Sequence, residues 1–152
     1  MVLSKKPLKA LIKIKGMAVG QMSALKYLGA IKTQNCDPKI EIKIRIEQAR
    51  ITFNNMKNLF KRSELSPSLR MRMIRCYIFS VLLYGCKSWT LDPSSEERID
   101  AFEMHLYRRM LRLSWIQKIT NEEVLRRMDK RKELMNAVMQ RKTLYFGHTM
   151  RG

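Results

Sequence analysis

Apolar positions along the chain follow two rhythms in turn. Over the first third they alternate or gather in short runs, as in Leu11-Ile12-Lys13-Ile14-Lys15-Gly16 and Ala24-Leu25-Lys26-Tyr27-Leu28-Gly29-Ala30-Ile31. Such runs, punctuated by glycine, read as short strands or a hairpin. Two or three short strands make no stable sheet by themselves and need a partner layer. Beyond Asp37 the spacing changes to 4-3-4-3-4 at Ile42, Ile46, Ala49, Phe53, Met56 and Phe60. Ile40, Ile42, Ile44 and Ile46 alternate as in a strand, but the longer period outlasts them and predicts a helix over 38–61. Asp37 is its expected cap, with Pro38 in its first turn.

Three or four more helices follow. Ser66-Pro67 opens one over 67–84 and Gly85 closes it, with Ile74, Ile78, Val81 and Gly85 on one face beside Tyr77. Asp92-Pro93-Ser94 starts the next, with Ser94 and Glu97 at capping-box spacing and Ile99, Phe102, Leu106, Met110 and Leu113 along its face. Thr120 and Glu123 have the same capping-box spacing ahead of Val124, Leu125 and Met128. A last helix is expected over 130–146, with Leu134, Val138 and Tyr145 inward and Gly147 as its end. The expected fold is mainly α: a small N-terminal β hairpin-like remnant followed by four or five amphipathic helices.

Charge narrows the class of partner. The chain has 152 residues, the length of one ordinary domain, and a formal net charge of +18. Its isoelectric point of 10.3 exceeds the value of about 9 that marks a basic nucleic-acid footprint. The charge sits at the ends: net +9 over 1–60, +1 over 61–106 and +8 over 107–152. Repulsion between such ends weakens a compact monomer unless a polyanion neutralises them, and the composition alone fits nucleic acid, an anionic membrane surface or an acidic protein partner. With 45% hydrophobic residues the chain can still form a core. Cys36, Cys76 and Cys86 form no close pair, which excludes a disulfide scaffold and points to a reducing, intracellular compartment. The longest apolar stretch, Cys76 to Tyr84, falls well short of the ~20 residues of a membrane span, and no signal peptide is expected.

Catalytic motifs are absent from the pattern. Two histidines and three separate cysteines make no metal-ligand spacing. His105 reads as a structural residue on a helix edge and His148 as exposed. Asp37, Asp92, Asp100 and Asp129 are scattered, whereas two catalytic metal ions about 4 Å apart need clustered carboxylates. Glu96-Glu97 and Glu122-Glu123 sit at expected helix starts, where carboxylates favour the helix dipole.

Binding chemistry is present. At about 100° per residue, Lys39, Lys43, Arg50 and Lys57 form one stripe beside the apolar face, about 27 Å long. Arg98, Arg109 and Arg112, with Arg108 close by, flank the helix after Pro93. Rows of cations suit phosphate contacts, which give affinity without sequence information; a solvated face is the competing reading of either row taken singly. Tyr27, Tyr77, Trp89, Trp115 and Phe146 are candidates for base stacking, although core packing explains each more simply.

Several blocks together resemble one family. Lys26-Tyr27-Leu28-Gly29 with Ile31, then Glu41-Ile42-Lys43 and Arg45-Ile46 before Ala49, are similar to the region after the palm of non-LTR (LINE-type) retrotransposon reverse transcriptases. Leu82-Leu83-Tyr84-Gly85 with Trp89 fits the next block. Phe102-Glu103-Met104, Tyr107-Arg108-Arg109-Met110-Leu111-Arg112, Trp115 and Ile119 to Leu125 resemble its C-terminal block, and Phe146-Gly147-His148 with Arg151 its last motif. Met1 to Pro7 looks like the last palm strand region. The resemblance implies three segments: an end-of-palm and primer-grip β remnant over 1–35, a thumb-like helical region over 36–88 and a basic helical tail over 89–152. It implies that Lys26, Tyr27, Leu28 and Gly29 lie near a primer terminus and that the helix at 38–61 tracks a template–primer duplex.

No Ala-Asp-Asp-type motif, the carrier of polymerase catalysis in that family, occurs in the sequence. The expectation is therefore a reverse-transcriptase fragment that binds RNA or DNA with little sequence preference and does not polymerise alone. Mg²⁺ belongs only to the full-length parent. The competing readings are an independent basic helical module for DNA or protein, as in a domesticated element, and a relic without function.

Overall fold

A computed structural model describes residues 12–20, 22, 24–27, 29–33, 38–60 and 64–151. The expectations placed on Met1 to Pro7, on Leu28 and on Asp37 as a cap lie outside these residues. The chain is mainly helical and divides into two compact units, 1–41 and 42–152, with the boundary inside the first helix.

The first unit holds two separate antiparallel hairpins. Strand β1 (Ile12–Ile14) pairs with β2 (Met17–Val19) in the register Ile12↔Val19, and β3 (Ala24–Tyr27) pairs with β4 (Ala30–Thr33) in the register Ala24↔Thr33. Lys15 and Gly16 turn the first hairpin with φ of 49° and 81°. Positive φ at both central residues matches the twist of paired strands, and glycine carries it without steric cost. Gly29 supplies a φ of 79° in the second turn.

The second unit is built around the long helix periodicity. Helix α1 runs Pro38–Asn55, Met56 forms a turn, and α2 covers Lys57–Phe60. Backbone bonds from Met56 N to Thr52 O and from Phe60 N to Met56 O carry the helical path across that turn. The face expected from the 4-3-4-3-4 spacing is the buried one: Ile42, Ile46, Ala49, Phe53 and Phe60 are all in the core. Phe53 and Phe60 stack at 5.0 Å between centroids, which ties α2 to α1.

Ser66 caps α3 (Pro67–Met73): its hydroxyl accepts from Leu69 N, and Pro67 needs no partner for a missing N–H. The helix then widens into a π-helical segment, Ile74–Phe79, before α4 (Ser80–Leu82) and left-handed Gly85. The wider turn corrects the expected face. Tyr77 points to solvent, and Phe79, Leu82 and Leu83 join Ile74 and Ile78 in the core.

Helix α5 (Pro93–Met110) is capped by Asp92, whose carboxylate accepts from Ser95 N at 3.3 Å. The expected Ser94–Glu97 box is therefore not the cap, because Asp92 already satisfies the first orphan donor two residues earlier. Ile99, Phe102, Leu106 and Met110 are buried along its expected face. Helix α6 (Asn121–Met128) has Thr120 as its cap, whose hydroxyl accepts from Glu123 N. The Glu123 side chain does not complete the reciprocal box; it holds Arg126 and Arg127 instead.

Helix α7 (Leu134–Thr149) starts four residues later than expected and runs through Gly147 to the cap at Met150. Leu134 and Val138 are buried as expected, but Tyr145 is exposed. The late start has a tertiary cause. Glu103, wholly buried on α5, accepts through Oε1 from Glu133 N at 2.7 Å and Leu134 N at 3.2 Å, and so caps α7 from another helix. Tyr107 donates its hydroxyl to the same oxygen, Arg75 grips Glu133 at 2.5 and 2.7 Å, and Lys132 pairs with Asp100 at 2.6 Å.

Candidate nucleic-acid interface

A groove of about 950 Å³ opens in the second unit between the end of the first helical path and the end of α5. Its lining joins Phe53, Asn54, Lys57 and Phe60 to His105, Arg108, Arg109, Arg112, Leu113 and Ser114. Four of these residues are cations, Lys57, Arg108, Arg109 and Arg112, and three are apolar, Phe53, Phe60 and Leu113. Among the described residues no carboxylate belongs to the lining.

Local sequence explains why these cations project there. Lys57 opens α2, one residue past the Met56 turn, and stays beside the buried Phe53–Phe60 face. Arg108 and Arg109 lie in the last turn of α5, where basic side chains favour the negative end of the helix dipole. Arg112 follows in a left-handed conformation, φ 55°. Its N–H bonds to Arg109 O, and Leu113 N bonds to Arg108 O at 2.9 Å. These two bonds form a Schellman closure, whose left-handed position usually holds glycine. Any side chain with a Cβ costs about 1 to 2 kcal/mol there, because its Cβ crowds the following carbonyl. The position keeps an arginine in the groove wall at that cost.

His105 faces this ring. Burial, and then the nearby Arg50 and Arg109, hold its imidazole below the ordinary histidine range, so the neutral ring is favoured. Arg108 is partly committed elsewhere: its guanidinium donates to Ile119 O at 2.7 Å and Asn121 Oδ1 at 2.9 Å, which orients it.

The expected contact residues divide as follows. Lys57, Arg109 and Arg112, drawn from two separate rows in the sequence, come together in the groove. Arg50 borders it through His105 and also pairs with Glu47 at 3.5 Å. Lys43 is exposed further up α1, and Lys39 is exposed in the first turn of that helix, within the first unit. Arg98 is exposed on the N-terminal half of α5 and does not line the groove. Lys26 and Tyr27 lie in β3, and Gly29 in its turn. Of the aromatic candidates, Trp89 is buried, while Tyr77 and Phe146 are exposed. Sequence reasoning missed His105, Asn54 and Ser114 as lining residues. The only available signal was the proximity of His105 to Arg108 and Arg109 on one helix.

Three of the scattered aspartates have local structural roles. Asp92 caps α5, Asp100 pairs with Lys132, and Asp129 occupies the left-handed position after α6. Among the described residues no three His, Cys, Asp or Glu side chains form a metal-holding group. Among the same residues no helix is long and apolar enough to cross a membrane. No family model, no curated protein and no solved structure matches the chain.

Proposed function

We propose that the chain is a nucleic-acid-binding helical module of the thumb-and-tail type found in non-LTR reverse transcriptases, binding duplex or hybrid backbones without catalysis of its own. The observation that carries this reading is the groove in which Lys57, Arg108, Arg109 and Arg112 converge with no carboxylate among them. A phosphodiester backbone meets the needs of such a surface, because it neutralises clustered cations. The net charge of +18 gives long-range attraction in the same sense. The block resemblance described above supports a template–primer duplex as the partner.

Salt dependence tests the reading. Each cation that meets a phosphate contributes about 0.9 to the slope of log K against log salt on B-DNA. Replacing Lys57, Arg109 and Arg112 with Gln is expected to flatten the slope by roughly 2 to 3 units. Replacing Arg126, Arg127 and Lys130 removes the same formal charge outside the groove, and two of these are already paired with Glu123. Equal losses in both variants would reduce the groove to a solvated face. A parent chain that binds neither duplex nor hybrid would end the nucleic-acid reading.

A further inference from the structure

Among the described lining residues of the groove, His105 is the histidine, the side chain whose ordinary titration range lies near neutral pH. It sits half-buried on α5, three residues before Arg108 and four before Arg109. Among the described residues, the charged groups that act on it or share the groove lining are cations: Arg50 from α1, Lys57 from α2, Arg108 and Arg109 from its own helix, and Arg112 from the turn beyond. Glu47, the acidic partner of Arg50 at 3.5 Å, is not part of the lining. In the empty groove a further positive charge is therefore opposed by both desolvation and repulsion.

Filling the groove with a polyanion reverses that balance. A phosphodiester is negative at all ordinary pH, offsets the field of the arginines, and offers oxygen acceptors to an imidazolium N–H. We propose that His105 is a phosphate-contacting residue that takes up one proton from solvent when a nucleic-acid backbone occupies the groove. This inference rests on the nucleic-acid reading above. It makes binding proton-linked: the complex holds one more proton than the free components, so affinity rises as pH falls.

The test is affinity of the whole chain for a 20-base-pair RNA–DNA hybrid, at constant ionic strength, across pH 5.5 to 8. One proton taken up predicts a rise approaching about tenfold per pH unit within the titration window. His105→Gln should remove the rise, and His148→Gln, outside the groove, should keep it. The His105 ring-proton titration, followed by NMR in the parent chain, should move to higher pH when the hybrid is added. This readout stands even if the His105 variant fails to fold. Salt-dependent binding with no pH slope, a slope that survives His105→Gln, or an unmoved NMR midpoint overturns the proton-linked contact and leaves the nucleic-acid reading standing. No binding at any pH overturns both.

Discussion

The two units handle similar apolar content in opposite ways. In the first, Ile12, Ile14 and Met17 are 51%, 61% and 74% exposed, although their strands are well registered. In the second, Ile42, Ile74, Ile78, Leu82, Ile99 and Leu106 are fully buried. A two-stranded hairpin satisfies only the backbone bonds between its strands and leaves both faces without a packing layer. A helix satisfies its own backbone and has one stripe to cover, which a second helix can do. At about 1.5 to 3 kcal/mol for each large side chain removed from water, burial stabilises the helical unit and contributes little to the described hairpins. Regular secondary structure is thus a poor guide to local stability here; covered apolar faces are the better one.

Amide hydrogen exchange probes this contrast at its widest. Protection across 42–53 and 99–107 should exceed that across the described strands by about a hundredfold or more, because the helices open only with the core. Equal or stronger protection at 12–19 and 24–33 would break the comparison and require a packing partner for the strands.

The next effect concerns the polar joint within the helical unit. Glu103→Ala removes the acceptor of Glu133 N, Leu134 N and the Tyr107 hydroxyl. Orphaning these donors should cost roughly 2 to 3 kcal/mol in urea unfolding, with α7 loosened first and hairpin exchange unaltered. Glu103→Gln keeps an acceptor oxygen and should cost less. The pH dependence separates the two states of the carboxyl. Burial pushes its pKa above the ordinary 4.5, against the opposing pull of its hydrogen bonds. The folded chain then binds the proton more tightly than the unfolded chain. The contribution of Glu103 is full below the ordinary value and is lost as pH rises through the raised one. The stability difference between parent and Glu103→Gln should therefore shrink or turn against the parent as pH rises above 4.5. A difference constant from pH 4 to 8 would contradict this.

The smallest expected effect is also the most discriminating. Both units place a side-chain-bearing residue in the left-handed region at a chain reversal, Lys15 in the first hairpin and Arg112 in the groove. Arg112→Gly should stabilise the helical unit by about 1 kcal/mol in thermal or urea unfolding. It should at the same time lower the salt slope of hybrid binding by about 0.9. Opposite signs in stability and binding identify an arginine held for the groove. A loss of both would make Arg112 a structural residue.

Much of the local architecture is legible in the residue pattern. The period at Ile42, Ile46, Ala49, Phe53 and Phe60 is the buried face of the first helical path. Ser66, Pro67 and Thr120 stand at the helix starts that their chemistry favours. These features were readable because they arise from contacts within about four residues. Where a longer-range interaction wins, the pattern misleads. Gly147 does not stop α7, since a helix interior tolerates glycine at a cost of about 1 kcal/mol when the flanking turns are kept. Tyr77 leaves the core face because the π-helical segment shifts the phase of the turns that follow.

By itself the sequence determined the helical character, most of the apolar faces, the strong positive charge and the existence of two cationic rows. Tertiary structure decided which of those cations meet. Lys57 is more than fifty positions from Arg109 and Arg112, and no periodicity within either helix states which flanks will face each other. Tertiary structure also decided the role of Glu103, whose carboxylate lies on an apolar face and reads from its neighbours as a misplaced charge. Burial there is tolerated because two backbone N–H groups from a distant helix start and one tyrosine hydroxyl converge on its Oε1. Periodicity and caps are set by chain-local geometry, whereas facing flanks and converging donors exist only once the helices have packed.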